Sequence, residues 1–203
     1  MERRARIKLI FEMNTQETFP LRTARGLELR PVEPGDGRIL FQLTAANRGN
    51  LRLWLPWVDG IQGPADTARF IEISRRSFAE GTGLVLAVRL QGRVIGVVDF
   101  HHLDSINRKA SIGYWLGERW RGNGLMSEAV ACLVKYGFQA LGLNRIEIRV
   151  APENERSRRI PERLGFREEG HLRQAEWLYD HFVDHVVYGL VRTDWLSRES
   201  PAE

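Results

Sequence analysis

Residues 112–129 read Ile112-Gly-Tyr-Trp-Leu-Gly-Glu-Arg-Trp-Arg-Gly-Asn-Gly-Leu-Met-Ser-Glu-Ala129. An apolar run that alternates like a strand passes into a loop carrying Gly122 and Gly124, and a helical pattern begins at once with Leu125. A helix start exposes several unpaired N–H groups and the positive end of the backbone dipole. Glycine lets that backbone approach an anion without a Cβ in the way. Arg119 and Arg121 add positive charge nearby, so the stretch has the chemistry of a pyrophosphate cradle.

The flanks show what kind of sheet carries this loop. Upstream, Leu84–Leu90 and Val94–Phe100 flank Gln91-Gly-Arg, a hairpin signal with glycine in the turn. Lys109–Leu116 then reads as a third strand, so an antiparallel meander leads into the loop. Before it, Leu27-Glu-Leu-Arg-Pro-Val alternates as a first strand. Helical spacing follows through about Ala46, with Ile39, Leu40, Leu43 and Ala46 expected inside, and again over 65–79, with Phe70, Ile71, Ser74 and Phe78 on one face. Downstream, Leu125, Ala129, Leu133, Val134, Gly137 and Leu141 make one apolar helical face. Arg145–Val150 is a strand, Glu155–Leu164 a helix, and two more strands run from Gly165 onward and over Val183–Val191. The expectation is one α+β domain with a mixed, mostly antiparallel twisted sheet of about seven strands and about four helices.

A dinucleotide-binding Rossmann motif competes for the same glycines. It requires a third glycine where Ser127 stands and a parallel start rather than a meander, although Glu147 lies at a suitable distance for a ribose contact.

The 203 residues, 43% of them apolar, suffice for one core. No apolar run has the length of a membrane span, and the basic start has too short an apolar segment for a signal peptide, so a cytoplasmic location is expected. Cys132 is the lone cysteine and reads as a buried, inert thiol. The histidines at 101, 102, 171, 181 and 185 show no metal-ligand spacing, so no metal site is expected. Net charge is +4, and only Lys8, Lys109 and Lys135 are lysine among the 30 cationic side chains. That balance suits a polyanionic ligand. The arginines are scattered among acids, with no stripe interleaved with aromatics, which argues against nucleic acid as a direct ligand. Residues 1–24 read as a basic, loosely held extension, 25–196 as the domain and 197–203 as a tail.

Arg119-x-x-Gly122-x-Gly124 resembles the R/Q-x-x-G-x-G/A signature of the GNAT superfamily of acetyltransferases. Gly113-Tyr-Trp-Leu, Asn154-Glu-Arg-Ser157, Pro161-Glu-Arg-Leu-Gly-Phe166 and Trp54-Leu-Pro-Trp57 are similar to its RimJ/RimL group, which acetylates the α-amines of ribosomal proteins. The likeness covers about residues 27–195. It implies acetyl-CoA as co-substrate and a protein N-terminus as acceptor, and it leaves a homodimer open. A small-molecule amine as acceptor, and a non-catalytic acyl-CoA sensor, are the alternatives.

Carried across residue by residue, the resemblance gives Trp115, Leu116 and Gly117 to the pantetheine amides. Gly122, Asn123, Gly124, Leu125 and Met126, beside Arg119 and Arg121, take the pyrophosphate, and Asn154 takes the pantetheine arm. It makes Ser157 and Glu176 the catalytic pair. The chemistry is compatible, since an α-amine with a pKa of about 7.7–8.0 is partly neutral already and one carboxylate acting through water can serve as base. A backbone N–H near Leu116 can serve the thioester oxygen, and the Ser157 hydroxyl the leaving thiol. His101 is the second candidate base, and Trp54, Trp57 and Tyr179 are candidates for the acceptor pocket. Plainer readings stand beside these: Asn154–Ser157 as a helix cap, Glu176 as a solvated strand residue, His101 as structural, and Trp54–Trp57 as a packed loop.

Overall fold

A computed structural model describes residues 19–199. In chain order its elements are β1 (Leu21–Arg22), β2 (Leu27–Pro31), α1 (Gly37–Ala46), α2 (Arg48–Arg52), α3 (Pro64–Glu80), β3 (Leu84–Leu90), β4 (Arg93–Asp104) and β5 (Lys109–Leu116). They continue with α4 (Leu125–Gln139), β6 (Arg145–Val150), α5 (Glu155–Leu164), β7 (Arg167–Leu178), β8 (His181–Val191) and α6 (Arg192–Glu199). The strands form a single sheet in the order β1-β2-β3-β4-β5-β6-β8-β7.

Alternation sorts the sheet residues onto two faces, with one shift at the β3–β4 bulge that falls at Ile95. Leu86, Val88, Ile95, Val98 and Phe100 join the core under α4, while Ala87, Val94 and Val97 join a smaller core with Leu40 of α1 and Ile71 of α3. The β3–β4 turn takes Gln91 at φ +50° and Gly92 at φ +75°, the pair of positive φ angles that a two-residue hairpin loop asks for. Helix α4 lies close on the sheet because Gly137 has no side chain. A Cβ there would meet Phe100 Cζ at 2.7 Å and the tips of Ile146 and Leu143 at 3.1 and 3.2 Å. Gly137→Val is therefore expected to destabilise the fold by about 2–3 kcal/mol through overpacking. Urea unfolding checks this, and an unshifted midpoint would refute the close approach.

Eight strands and six helices occur among the described residues, against the expected seven and four. β1 has two residues and α2 five, too little for a periodicity to register; the other addition, α6, has eight residues and follows β8 without a break. β1 also lies inside the stretch expected to be loose. Leu21 pairs with Leu29, and the ring of Phe19 stands 5.5 Å from Tyr136 of α4 and 6.3 Å from Phe78 of α3. Residues 1–18 of that stretch, and 200–203 of the tail, lie outside the described residues. On α1 the buried positions are Gly37, Leu40, Leu43 and Thr44, so Ile39 and Ala46, expected inside, face out. Phe70 of α3 is likewise exposed while Thr67 takes the inner position. No described helix is long and apolar enough to cross a membrane.

Every strand pair is antiparallel except β5–β6. That pair holds only from Lys109–Arg145 to Ser111–Glu147. Beyond it, β5 continues to Leu116 on β4 and β6 continues to Val150 on β8. The two parallel strands part, and a wedge opens in the middle of the sheet.

Candidate active site

The wedge presents backbone groups. Gly117 N–H donates to Ile95 O at 2.9 Å on the β4 side. Antiparallel pairing alternates the direction of successive residues, so Leu116 and Tyr114 turn their N–H and C=O groups the other way, to where β6 has departed. Arg121 Nε donates to Leu116 O at 3.0 Å, which leaves the Leu116 N–H for a ligand. Gly117, expected to serve the pantetheine amides through its backbone, has its N–H spent on the sheet.

The loop after β5 supports the cradle reading. Gly122 (φ +83°) and Gly124 (φ +73°) both take left-handed backbone, which costs an L-residue about 1–2 kcal/mol. Space for a Cβ at Gly122 is open. The first intrahelical bond of α4 runs from Glu128 N–H to Gly124 O at 3.1 Å, so the N–H groups of Leu125, Met126 and Ser127 precede it and stay unpaired in the helix. The Leu125 and Met126 side chains are buried, and their contribution to a ligand is main chain only. These features fit a diphosphate.

The two arginines divide. Burial lowers the pKa of Arg121 from its ordinary value, with Arg156 acting in the same direction and Glu118 against it. Arg119 stacks 4.8 Å over the Trp120 ring and helps line a separate groove of about 1050 Å³ with Arg30, Arg89, Arg93 and Ile39. Neither glycine of the loop nor Glu176 touches that groove, and Asp36 pairs with both Arg30 and Arg89. It is not the site described here.

Across the wedge, Asn154 caps α5. Its Oδ1 accepts from Ser157 N–H at 3.2 Å, the expected cap. Pro161 sits inside α5 and has no N–H to give the carbonyl four residues earlier. That carbonyl belongs to Ser157, and the Tyr114 hydroxyl donates to it at 3.1 Å. The Ser157 hydroxyl in turn donates to Tyr114 Oη at 3.0 Å. Burial raises the Tyr114 phenol well above its ordinary pKa, so it holds its proton and acts as a fixed donor. Tyr114 was missed in the sequence. The signal was Pro161, whose orphaned partner had to be satisfied from somewhere.

The opposite face of the wedge carries the remaining candidates. His185 alternates with the buried Val186 and so points away from the α4 core, toward Glu176, whose Oε2 lies 3.5 Å from His185 Nε2. That is a long ion-pair contact rather than a hydrogen bond. Glu176 is about a third exposed and open to water. His101 Nδ1 lies 2.8 Å from Asp99 Oδ1, so an imidazole that donates there leaves Nε2 free. Asp99 in turn lies over Gly113, where a Cβ would be 2.7 Å from its carboxylate, beside the last β5–β6 pair. Ser157, bonded to Tyr114, stands on the α4 side of the sheet, and Glu176, beside His185, on the opposite face.

The β7–β8 turn closes over this face. Tyr179 Oη donates to Leu55 O at 2.6 Å, and Arg52 lies 3.9 Å over the Tyr179 ring. Trp57 packs at 6.1 Å from Trp115 of β5, while Trp54 is half-buried in the same Leu53–Trp57 loop. The acceptor candidates Trp57 and Tyr179 thus belong to one wall, made by the loop after α2 and the β7–β8 hairpin. Cys132 is partly buried, and burial raises its thiol pKa. Among the described residues no group of three His, Cys, Asp or Glu side chains is placed to hold a metal.

Comparison with known proteins identifies the family. An acetyltransferase (GNAT) domain model matches residues 26–167. The chain is 35% identical over 179 residues to a putative ribosomal N-acetyltransferase, YdaF, of Bacillus subtilis, covering 87% of this chain and 97% of that protein. It is 30% identical over 174 residues to the ribosomal-protein-serine acetyltransferase of Escherichia coli, covering 86% and 97%. Its fold is similar to the solved structure of RimL, a ribosomal L7/L12 α-N-protein acetyltransferase, in complex with coenzyme A, with a TM-score of 0.83 at 26% identity over 86% of this chain and 98% of that one. The chain belongs to the GNAT acetyltransferase family and is an acetyl-CoA-dependent N-acetyltransferase.

Proposed function

We propose that the acceptor is the N-terminal α-amine of a protein, with Glu176 as general base and Ser157 as the donor that meets the leaving sulfur. The observation that carries this reading is the open wedge, which has a donor on one face and a carboxylate on the other. Acetyl-CoA supplies the thioester. The residues that fit it are the Gly122–Met126 backbone for the diphosphate and the free Leu116 N–H for the acyl oxygen, where charge develops during transfer. Glu176 accepts the amine proton, directly or through water. The Ser157 hydroxyl, which donates to Tyr114 Oη here, turns from the phenol to donate to the leaving sulfur and keeps its proton, because its neighbour Tyr114 is too weak an acid to replace it. An α-amine needs less help from a base than a lysine does, which suits a carboxylate open to solvent.

Free-thiol release from acetyl-CoA, measured over N-terminal peptides beginning with Ser, Ala or Thr and over small amines, tests the acceptor. Turnover with peptides and an acetylated N-terminus by mass spectrometry is the expected result. Turnover with small amines alone would overturn the acceptor. Tight coenzyme A binding with no thiol release would favour a sensor.

A further inference from the structure

The N-terminal turn reaches the cofactor loop from a direction that no local motif marks. Arg25 sits between β1 and β2, in a turn closed by Thr23 N–H to Leu27 O, Gly26 N–H to Thr23 O and Leu27 N–H to Thr23 Oγ1. Its Nη1 donates to Asn123 O at 2.6 Å, and its own N–H donates to Glu128 Oε1 at 2.9 Å. Its Nε lies 3.7 Å from Glu128 Oε2, an oxygen that is buried without a hydrogen bond. A Cβ at Gly124 would stand 3.4 Å from Arg25 Nη1, so the guanidinium lies against the middle of the loop.

Glu128 creates the problem that this arginine answers. A carboxylate in the first turn of a helix is favoured by the dipole, yet here the same turn has to receive a diphosphate. Left alone, Glu128 would repel the ligand that its helix attracts. The Asn123 carbonyl is a second negative pole in the same loop, and a carbonyl turned inward would oppose phosphate as well.

We propose that Arg25 is a positioning residue for acetyl-CoA. It neutralises Glu128 and holds the Asn123 carbonyl to itself, so that the N–H groups of the loop and not its C=O groups meet the phosphates. The proposal rests on the acetyl-CoA-dependent reading above. It adds a residue that stands just outside the family match, which begins at residue 26. Arg25 and Glu128 are separated by 103 positions in the chain, and Phe19 anchors the same N-terminal segment on Tyr136, two turns further along α4.

The test is coenzyme A binding by calorimetry, which needs no acceptor, alongside steady-state kinetics and thermal unfolding. Arg25→Ala is expected to weaken coenzyme A binding about ten-fold, the loss of one charge-assisted interaction half open to solvent. It should raise the KM for acetyl-CoA equally, leave kcat nearly unchanged and lower Tm only slightly, since Glu128 keeps its bond from the backbone N–H of residue 25. Glu128→Gln in the Arg25→Ala background is expected to restore most of the affinity, because the repelling charge is gone. Arg25→Lys should retain an intermediate affinity. Wild-type affinity in Arg25→Ala, or a loss that Glu128→Gln does not relieve, would overturn the proposal. Failure of the acceptor panel would leave coenzyme A binding and its dependence on Arg25 measurable, so the two readings fail separately.

Discussion

Glu176→Gln is expected to lower kcat by about two to three orders of magnitude, the range set by removing a general base, with coenzyme A affinity nearly unchanged. The substitution is isosteric, and Glu176 lies on the face of the wedge opposite the α4 core, away from Gly122–Met126, so the cofactor loop has no reason to feel it. Its pH profile carries a second result. Above the α-amine pKa of about 8 the acceptor is neutral without assistance. If Glu176 serves only to neutralise the incoming ammonium, the deficit narrows there. If it takes the proton as the new bond forms, the deficit persists. Full activity at neutral pH would remove Glu176 from the reaction and pass the role to His101, which Asp99 holds at 2.8 Å.

Gly124→Asp should give the complementary phenotype: a KM for acetyl-CoA raised about 100-fold, equivalent to about 2.7 kcal/mol, with kcat largely preserved at saturation. Two effects add. Residue 124 sits at φ +73°, a backbone that aspartate tolerates better than most L-residues but less well than glycine, and a carboxylate at the helix N-terminus opposes the diphosphate. Arg25 stands close enough to take up part of the new charge, which keeps the estimate below the full repulsion. Gly124→Asn separates the terms, since asparagine meets the same backbone demand as aspartate at this φ and carries no charge. Equal losses in the two variants would mean that strain alone accounts for the effect and that no phosphate approaches this position.

Local pattern carried most of the architecture. β3, β5, β6 and α5 run between the residues that alternation and helical spacing indicated, and the glycine loop was legible because phosphate binding makes demands on consecutive residues. Long-range contacts were not legible. His185 looks like any strand histidine until β7 bulges between Leu172 and Glu176 and brings the carboxylate beside it. Asp99 acquires meaning only because Gly113, on the neighbouring strand, leaves room for its side chain. Ile39 and Ala46 keep good helical spacing with Leu40 and Leu43, yet α1 meets the sheet along the narrower stripe of Leu40, Leu43 and Thr44. Hydrophobic spacing alone cannot say how wide a buried face is.

The Pro161 position has a mechanical side. In an uninterrupted helix the Ser157 carbonyl would be tied to the helix itself, and the first turn of α5 would be indifferent to what lies across the opening. Here that carbonyl and the Ser157 hydroxyl are both tied to one phenol on β5. The gap between the two arms at this depth is thereby set by the length of a tyrosine side chain. Forcing the arms further apart would strip two hydrogen bonds from a buried group at once, and a bulkier acyl arm would meet that resistance before it reached the serine.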